Sequence, residues 1–182
     1  MIRFNLLYFS LFFIYYTKYI TIEIINSDKI HMLDATDRRI LKVLQEDGRI
    51  TNTDLSEKVR LSPTATAERV KRLTREKYIE HFSASLDPKK VDRGLLVFVE
   101  IRLERTSPEI FDAFKRAVER SPDILECHMV AGGYDYLMKS RVKDMDAYRA
   151  FLSDVVLALP GVRETHTYAV MEEIKDTHIL PV

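Results

Sequence analysis

A basic segment in the first half of the chain carries residue types suited to nucleic-acid binding. Between Lys58 and Lys77 the sequence has seven basic and two acidic residues, a net of five positive charges. Basic side chains neutralise DNA phosphates, while hydroxyl and carboxylate groups near a helix start can meet base edges in the major groove. A charge run by itself is more often a solvated helix face, so DNA binding is predicted only if a helix-turn-helix carries this segment.

We predict DNA contacts for ten residues in and near this segment. Arg69 and Arg72 lie three positions apart, and Lys71 and Arg75 lie four apart, so each pair projects from neighbouring surfaces of one helix. The predicted set is Arg49, Ser62, Thr64, Ala65, Thr66, Glu68, Arg69, Lys71, Arg72 and Arg75.

The chain's one cysteine, Cys127, precedes His128 and could suggest a nucleophile or a metal ligand. No third partner follows at a suitable spacing, and adjacent strand residues usually divide between core and surface. One cysteine also excludes an intramolecular disulfide and agrees with a reducing cytoplasm. We therefore predict a cytoplasmic protein that is not an enzyme, with no catalytic residue, no metal site and no cofactor.

The pattern around the basic segment predicts three helices. Asp34 with Asp37 has the spacing of a capping box, Thr51 can cap a second short helix, and Ser62-Pro63 can open a third that runs to about Lys77. So tight a turn between the last two helices, behind a supporting first helix, indicates a helix-turn-helix. The residues expected to face inward are Ile40, Leu41, Val43, Leu44, Leu55, Val59, Val70 and Leu73.

The second half of the chain alternates strand and helix. Period-two apolar residues predict strands at 97–103, 124–130, 134–142 and 162–171, with Gly132-Gly133 as a hairpin signal and helices opening at Ser107-Pro108 and at Asp144 and reaching about Leu159. This order is the ferredoxin-like βαββαβ plan of the α+β class. Because both helices would cover one sheet face, the other face needs cover, and a second copy of the chain is the simplest one.

The predicted helices and strands divide residues 32–182 into three segments. The helix-turn-helix domain spans 32–82, a hinge spans 83–94, and the βαββαβ domain spans 95–182. Residues 78–92 connect the domains, and a wing and a hinge would fit there, with Asp87-Pro88 as a turn.

The overall composition is less informative about function than the distribution of charge along the chain. At 182 residues, 46% hydrophobic and 31% charged, the chain is typical of a globular protein, and general disorder is excluded. The 28 basic residues balance the 28 acidic ones, so the total charge does not indicate a class of binding partner. The balance conceals the basic segment.

Residues 1–31 form an apolar extension unlike the rest of the chain. They contain no Gly, Ala or Pro but eight of the 18 aromatic residues. The uncharged run at 5–17 is too short to cross a bilayer, which takes roughly 20 apolar residues. We interpret the extension as a misassigned start ahead of Met32 and expect no membrane association; a membrane anchor is the alternative.

With its helix-turn-helix, hinge and βαββαβ module, the chain from Met32 to Val182 resembles the leucine-responsive/asparagine-regulator (Lrp/AsnC) family of transcription regulators, especially its leucine-responsive branch. The segments that carry the resemblance are 33–37, 47–50, 61–64, 95–101, 126–128, 132–137, 160–162 and 167–173. The resemblance implies a winged helix-turn-helix joined by a hinge to an ACT-like (RAM) effector and oligomerisation domain. It also implies a nucleoid-associated protein that binds double-stranded promoter DNA as a homodimer that assembles to an octamer or similar ring.

The resemblance further implies a small amino-acid effector, expected to be leucine, at subunit interfaces of the second domain. Free amides at Gly132-Gly133 could hold its carboxylate, and Asp135 could pair with its ammonium group. Aspartate beside two glycines more commonly satisfies backbone donors, and methionines at apolar positions are as often core. The implied effector residues are Met129, Gly132, Gly133, Asp135, Met145, Tyr168, Ala169 and Val170.

Two departures from the family pattern bear on specificity. The third helix reads Thr64-Ala65-Thr66-Ala67 where closer relatives carry proline, cysteine and leucine after the threonine, and Ala169 stands at a position that is usually valine. Base preference and effector fit are therefore expected to differ. The alternative functions are an amino-acid-sensing module of a metabolic enzyme and, if residues 1–31 are inserted, a membrane-tethered DNA-binding regulator.

Overall fold

A computed structural model describes residues 32–182, so the predicted extension lies outside the described residues. The chain divides into two compact units. The first runs through Phe82 and also takes in Ile179–Val182, and the second spans Ser83–His178. None of the helices in the described part is long and apolar enough to cross a membrane.

The first unit is built from three helices whose beginnings follow the predicted caps. They are α1 (Ala35–Glu46), α2 (Asn52–Val59) and α3 (Pro63–Arg75). The capping box at α1 is confirmed, and the side chains of Thr51 and Ser62 accept hydrogen bonds from backbone amides at the starts of α2 and α3. The end of α3 falls two residues before the predicted Lys77, which adopts a left-handed backbone with φ of 63°.

Apolar side chains from all three helices form the core of this unit. The buried members, all among the predicted inward residues, are Ile40, Leu41, Leu55, Val59 and Leu73. Arg60, at φ of 58°, ends α2 in the left-handed region, which allows the tight turn into α3. The core thus fixes α3 against α1 and α2.

The connection after α3 contains no strand between Tyr78 and Asp87 in the described chain, so the segment expected to hold a wing runs as irregular backbone. A short 3₁₀ helix, Pro88–Val91, follows and is capped by the Asp87 side chain.

The second unit has a four-stranded antiparallel sheet. Its strands are β1 (Leu95–Leu103), β2 (Ile124–Met129), β3 (Tyr136–Val142) and β4 (Val162–Ala169), in the order β2-β3-β1-β4. Two helices, α4 (Pro108–Glu119) and α5 (Met145–Phe151), pack on one face, where the buried core includes Val97, Val99, Ile101, Phe114, Met138, Tyr148 and Phe151. This is the predicted βαββαβ arrangement.

Several boundaries in this unit differ from the predictions, and β1 begins at Leu95, two residues before the predicted Val97. The second and third strands stop short of Gly132-Gly133 because Asp135 ties the loop down: its carbonyl accepts from the Val130 amide, and its own amide donates to the Ile101 carbonyl. The last helix passes into a π-helical turn at Leu152 instead of continuing regularly to Leu159. Strand β4 ends at Ala169, which pairs with Val97, two residues before the predicted Met171; one further hydrogen bond follows, from the Val170 amide to the Leu96 carbonyl.

Candidate DNA-binding and effector sites

One stripe of α3 faces solvent along its whole length. Thr64, Glu68, Lys71 and Arg75 are all exposed, and their spacing places them within an arc of about 60° on an α-helix. The hydroxyl and carboxylate lie towards the helix start, and the two cations lie towards its end. We call these four residues the outer stripe; it combines base-reading groups with phosphate-neutralising ones.

Three other predicted DNA residues border α3 or α2. Ser62 caps α3 by accepting a hydrogen bond from the amide of half-buried Ala65 at 3.3 Å. Arg49 is exposed just ahead of α2. None of these three residues belongs to the outer stripe or covers it.

Thr66 is buried and does not reach the surface of α3. Its hydroxyl donates to the Ser62 carbonyl at 3.0 Å. The departure from the family pattern at this position therefore affects the packing of α3, because the side chain points into the domain.

Arg69 and Arg72 turn away from the outer stripe towards α1. Arg69 Nη1 lies 2.6 Å from Asp34 Oδ2 and 2.9 Å from Asp37 Oδ1, and Arg72 Nη2 lies 2.5 Å from Asp37 Oδ2. The Asp37 carboxylate, only 1% exposed, thus bridges both guanidinium groups. Two of the predicted phosphate contacts are held in an intramolecular ion-pair cluster.

The hydrogen bonds and ion pairs of this cluster shift the pKa values of two of its members. The Asp37 backbone amide and then the Arg69 guanidinium lower the pKa of the Asp34 carboxyl from its ordinary 3.8 to about 2. Hydrogen bonds to Asp34 and Asp37 raise the pKa of Arg69. Both groups are therefore charged at neutral pH.

All but one of the residues implied for effector binding fall at opposite ends of the sheet. Strand β3 runs from Tyr136, paired with Ile101, to Val142, paired with Leu95. Met129, Gly132, Gly133 and Asp135 lie at the Tyr136 end. Met145, Ala169 and Val170 lie towards the Val142 end: Ala169 pairs with Val97, and the Val170 amide donates to the Leu96 carbonyl. Tyr168 lies between the two ends: it pairs with Phe98, opposite Lys139 in the middle of β3, and lines one hollow with Arg102. Within one chain the structure does not bring Met145, Ala169 and Val170 to the loop end.

At the first end, the loop 130–135 exposes hydrogen-bond donors. In the described chain the amides of Gly132 and Gly133 have no hydrogen-bond partner, and a Cβ on Gly133 would lie 3.9 Å from Arg102 Nη2. Asp135 Oδ2 accepts from the Leu103 amide at 2.8 Å, so one carboxylate oxygen already satisfies a backbone donor. Sequence reasoning missed Arg102, although the period-two alternation of β1 leaves it exposed between buried Ile101 and Leu103.

At the second end, the side chains are more apolar. Met145 is half exposed at the first position of α5, and Ala169 and Val170 follow β4 to its end. Between the two ends, the Tyr168 hydroxyl donates to Glu100 Oε1 at 3.0 Å, and this carboxylate raises the pKa of Tyr168. The second end therefore offers apolar contact surface, while the loop end offers donors.

Cys127 and His128 point to opposite faces of the sheet, since consecutive strand residues alternate. Cys127 packs against the core and burial raises the pKa of its thiol to about 11, which makes it a poor nucleophile. No group of three metal-ligating side chains occurs between residues 32 and 182. Met129 also packs against the core, so part of its surface is unavailable to a ligand.

The sheet face opposite α4 and α5, here called the open face, carries mainly charged and aromatic groups. Lys139 Nζ lies 2.8 Å from Glu126 Oε1, and Arg141 pairs with Glu173 and Asp176 beyond β4. A shallow hollow of about 240 Å³ on this face is lined by Glu100, Arg102, Tyr134, Glu164, His166 and Tyr168.

Two family models match the chain, one for each unit. Residues 33–80 match a winged helix-turn-helix DNA-binding domain, and residues 96–180 match the Lrp/AsnC ligand-binding domain.

Similar proteins cover most of both chains. The leucine-responsive regulatory protein of Escherichia coli K12 is 51% identical over 150 residues, which is 82% of this chain and 92% of the relative. A transcriptional regulator of Neisseria meningitidis, solved as a complex with L-Met, aligns with a TM-score of 0.78 at 37% identity, covering 82% of this chain and 97% of the other. An AsnC-family regulator of Agrobacterium tumefaciens aligns with a TM-score of 0.78 at 36% identity over the same shares.

Proposed function

Because the chain belongs to the Lrp/AsnC family of DNA-binding transcription regulators, we propose that its affinity for promoter DNA changes when a small amino acid binds between two copies of its second domain. Its similar proteins are regulators, not enzymes, so neither the enzyme-module alternative nor membrane tethering gains support. Acting on promoter DNA would place the protein on the nucleoid, in the cytoplasm.

The outer stripe carries the DNA-binding part of this proposal. Lys71 and Arg75 are exposed cations that can reach phosphates, and Thr64 and Glu68 lie nearer the end of α3 that enters the major groove in helix-turn-helix proteins. Arg49, Ser62 and Ala65 border this surface and supply further contacts. Thr66, Arg69 and Arg72 act on the inner side of the helix.

Effector binding between copies is supported by the separation of the implied residues. Along β1, the residue paired with Ala169 (Val97) lies four positions from Ile101, which marks the loop end, so Ala169 and the loop end are about 13 Å apart at 3.3 Å per residue. A small amino acid cannot span that distance. A site that uses both groups therefore needs the loop end of one copy and the Val142 end of another.

The chemistry of the two ends favours an apolar α-amino acid, and leucine is our proposed effector. The Gly132 and Gly133 amides with Arg102 can hold a carboxylate, and the remaining oxygen of Asp135 can accept from an ammonium group. Met145, Ala169 and Val170 offer apolar contact to a side chain. The relative named for its leucine response and the neighbour solved with L-Met agree with an apolar effector.

A homodimer that assembles to an octamer or similar ring is the proposed active form. A closed ring gives every loop end a neighbouring partner, so all effector sites are complete. A second copy over the open face would supply the dimer contact within such a ring.

A DNA titration tests the proposal. Full-length protein is titrated against its own promoter duplex at several salt concentrations, with and without each of the twenty amino acids, alongside its mass in solution. We expect the logarithm of affinity to fall linearly with the logarithm of salt concentration, and leucine to shift both affinity and oligomer size. Absence of promoter binding at low salt would contradict the regulator, and a response to polar amino acids only would contradict the effector.

A further inference from the structure

The buried carboxylate of Asp37 holds two arginines of the DNA-reading helix. Both of its oxygens are occupied, one by Arg69 Nη1 at 2.9 Å and the other by Arg72 Nη2 at 2.5 Å. A buried charge is tolerated only when it is paired, so Asp37 and the arginines depend on each other. Together with Asp34, which also pairs with Arg69, the cluster is electrically neutral.

This pairing removes charge from the surface that meets DNA. Seven basic residues lie between Lys58 and Lys77, but two of them face acidic partners on α1. The net charge of five in that segment falls to three once Asp34 and Asp37 are included. Since sequence-independent affinity depends on how many cations reach phosphates, the cluster lowers that part of the binding energy.

From this geometry we propose that Asp37 is a positioning residue that limits non-specific DNA binding by withholding Arg69 and Arg72 from phosphates. Selectivity then depends on the outer stripe, which the same cluster keeps facing outward.

The two arginines are poised to leave when the carboxylate is neutralised. Their side chains are 32% and 28% exposed, so solvent already reaches them. Arg72 Nε is buried without a hydrogen-bond partner in the described chain, so its guanidinium is incompletely satisfied inside the domain. Long, flexible arginines with weakened anchors can turn towards an adjacent polyanion.

Asp37→Asn in the full-length protein tests this inference. Affinity for a duplex of unrelated sequence is measured between 50 and 200 mM salt. Release of two arginines should steepen the log–log salt dependence by up to about 1.8, or 0.9 per added phosphate contact, so the loss of affinity over this range grows roughly tenfold. The ratio of promoter to unrelated-duplex affinity should fall. A purely structural role would lower the active fraction without changing the slope.

Two further variants serve as controls. Glu46→Gln removes the same charge from exposed Glu46 of α1 and should leave the slope unchanged. Asp37→Glu retains the charge and should restore the wild-type slope. Circular dichroism establishes that each variant is folded, and an unchanged slope in folded Asp37→Asn overturns the inference.

A triple variant keeps the inference testable if Asp37→Asn does not fold. Asp37→Asn combined with Arg69→Gln and Arg72→Gln removes the two charges whose release is proposed and leaves no unpaired charge buried at position 37. Because these arginines do not reach phosphates, its salt slope should match wild type. A slope shallower by one or two would show that they contact DNA and would reject the withholding role.

Discussion

Asp34 combines two roles at the start of α1, as helix cap and as partner of Arg69. Its pKa is about 2 in the folded protein and ordinarily 3.8. A lowered folded-state pKa means that the ionised group stabilises the fold above pH 4, and that this contribution is lost as pH falls towards 2.

Ionised Asp34 should account for part of the stability that the protein loses in acid. Asp34→Asn should flatten the fall in unfolding free energy between pH 4 and pH 2, because the variant has no proton to bind there. Urea denaturation at a series of pH values measures it, with Glu46→Gln as a charge-matched control. A profile for Asp34→Asn that parallels wild type would refute the role of the carboxylate.

Single side chains of the outer stripe should separate affinity from sequence preference. Lys71→Gln or Arg75→Gln should weaken binding to every duplex and reduce the salt slope by about 0.9, the loss of one phosphate contact. Thr64→Ala should change the ranking of duplex sequences with little effect on that slope. Fluorescence anisotropy with a set of related duplexes measures both, and equal slopes for Lys71→Gln and wild type would exclude a phosphate contact.

The amino-acid types predicted where positive charge accumulates along the chain. They did not predict which basic side chains are paired with carboxylates of the same chain. The spacing of Arg69 and Arg72 was compatible with a DNA-facing pair, and Asp37 was recognised only as half of a capping box. The missing information was the rotation of α3 about its axis relative to α1, which depends on contacts between residues more than 30 positions apart.

At the scale of secondary-structure elements, the turn before β4 requires a glycine at position 161. Gly161 has φ of 76°, and a Cβ there would lie 2.6 Å from Ile110 Cγ2 on α4. Both the left-handed backbone and the close approach exclude a side chain.

Gly161→Ala should therefore lower the free energy of unfolding by about 2 kcal/mol or more, from backbone strain together with overpacking. Gly132→Ala is the matched control: it has no atom within 4 Å of the added Cβ and no left-handed φ, so its stability should stay near wild type. Chemical denaturation measures both, and equal losses would contradict the steric argument.

Element starts were predictable because their signals are local. The caps at Asp34, Thr51 and Ser62 act within three residues, and period two identified the strands. The 3₁₀ helix at Pro88, the π turn at Leu152 and the pairing of the Gln45 side-chain amide with backbone groups of Leu180 were missed. These features arise from packing or from pairing across long sequence separations.

At the scale of the whole assembly, the two halves of the proposed effector site should complement each other. Arg102→Gln impairs the loop end, and Met145→Asp places a charge at the other end, where a helix start tolerates it. Each variant alone should lose its leucine response.

Co-expression of the two variants should restore about a quarter of the sites, those formed by chance from two intact halves. Leucine binding to the mixed assembly, measured calorimetrically, checks this expectation. A mixture as unresponsive as either variant would show that the two ends do not share a site.

The distance between these two ends also links sensing to gene dosage. A ligand that needs two copies binds more tightly as the protein becomes more concentrated, because each additional copy increases the number of complete sites. Cells with few copies would then need more amino acid for the same occupancy than cells with many. The threshold of the response is in this way a property of abundance as well as of the residues that touch the ligand.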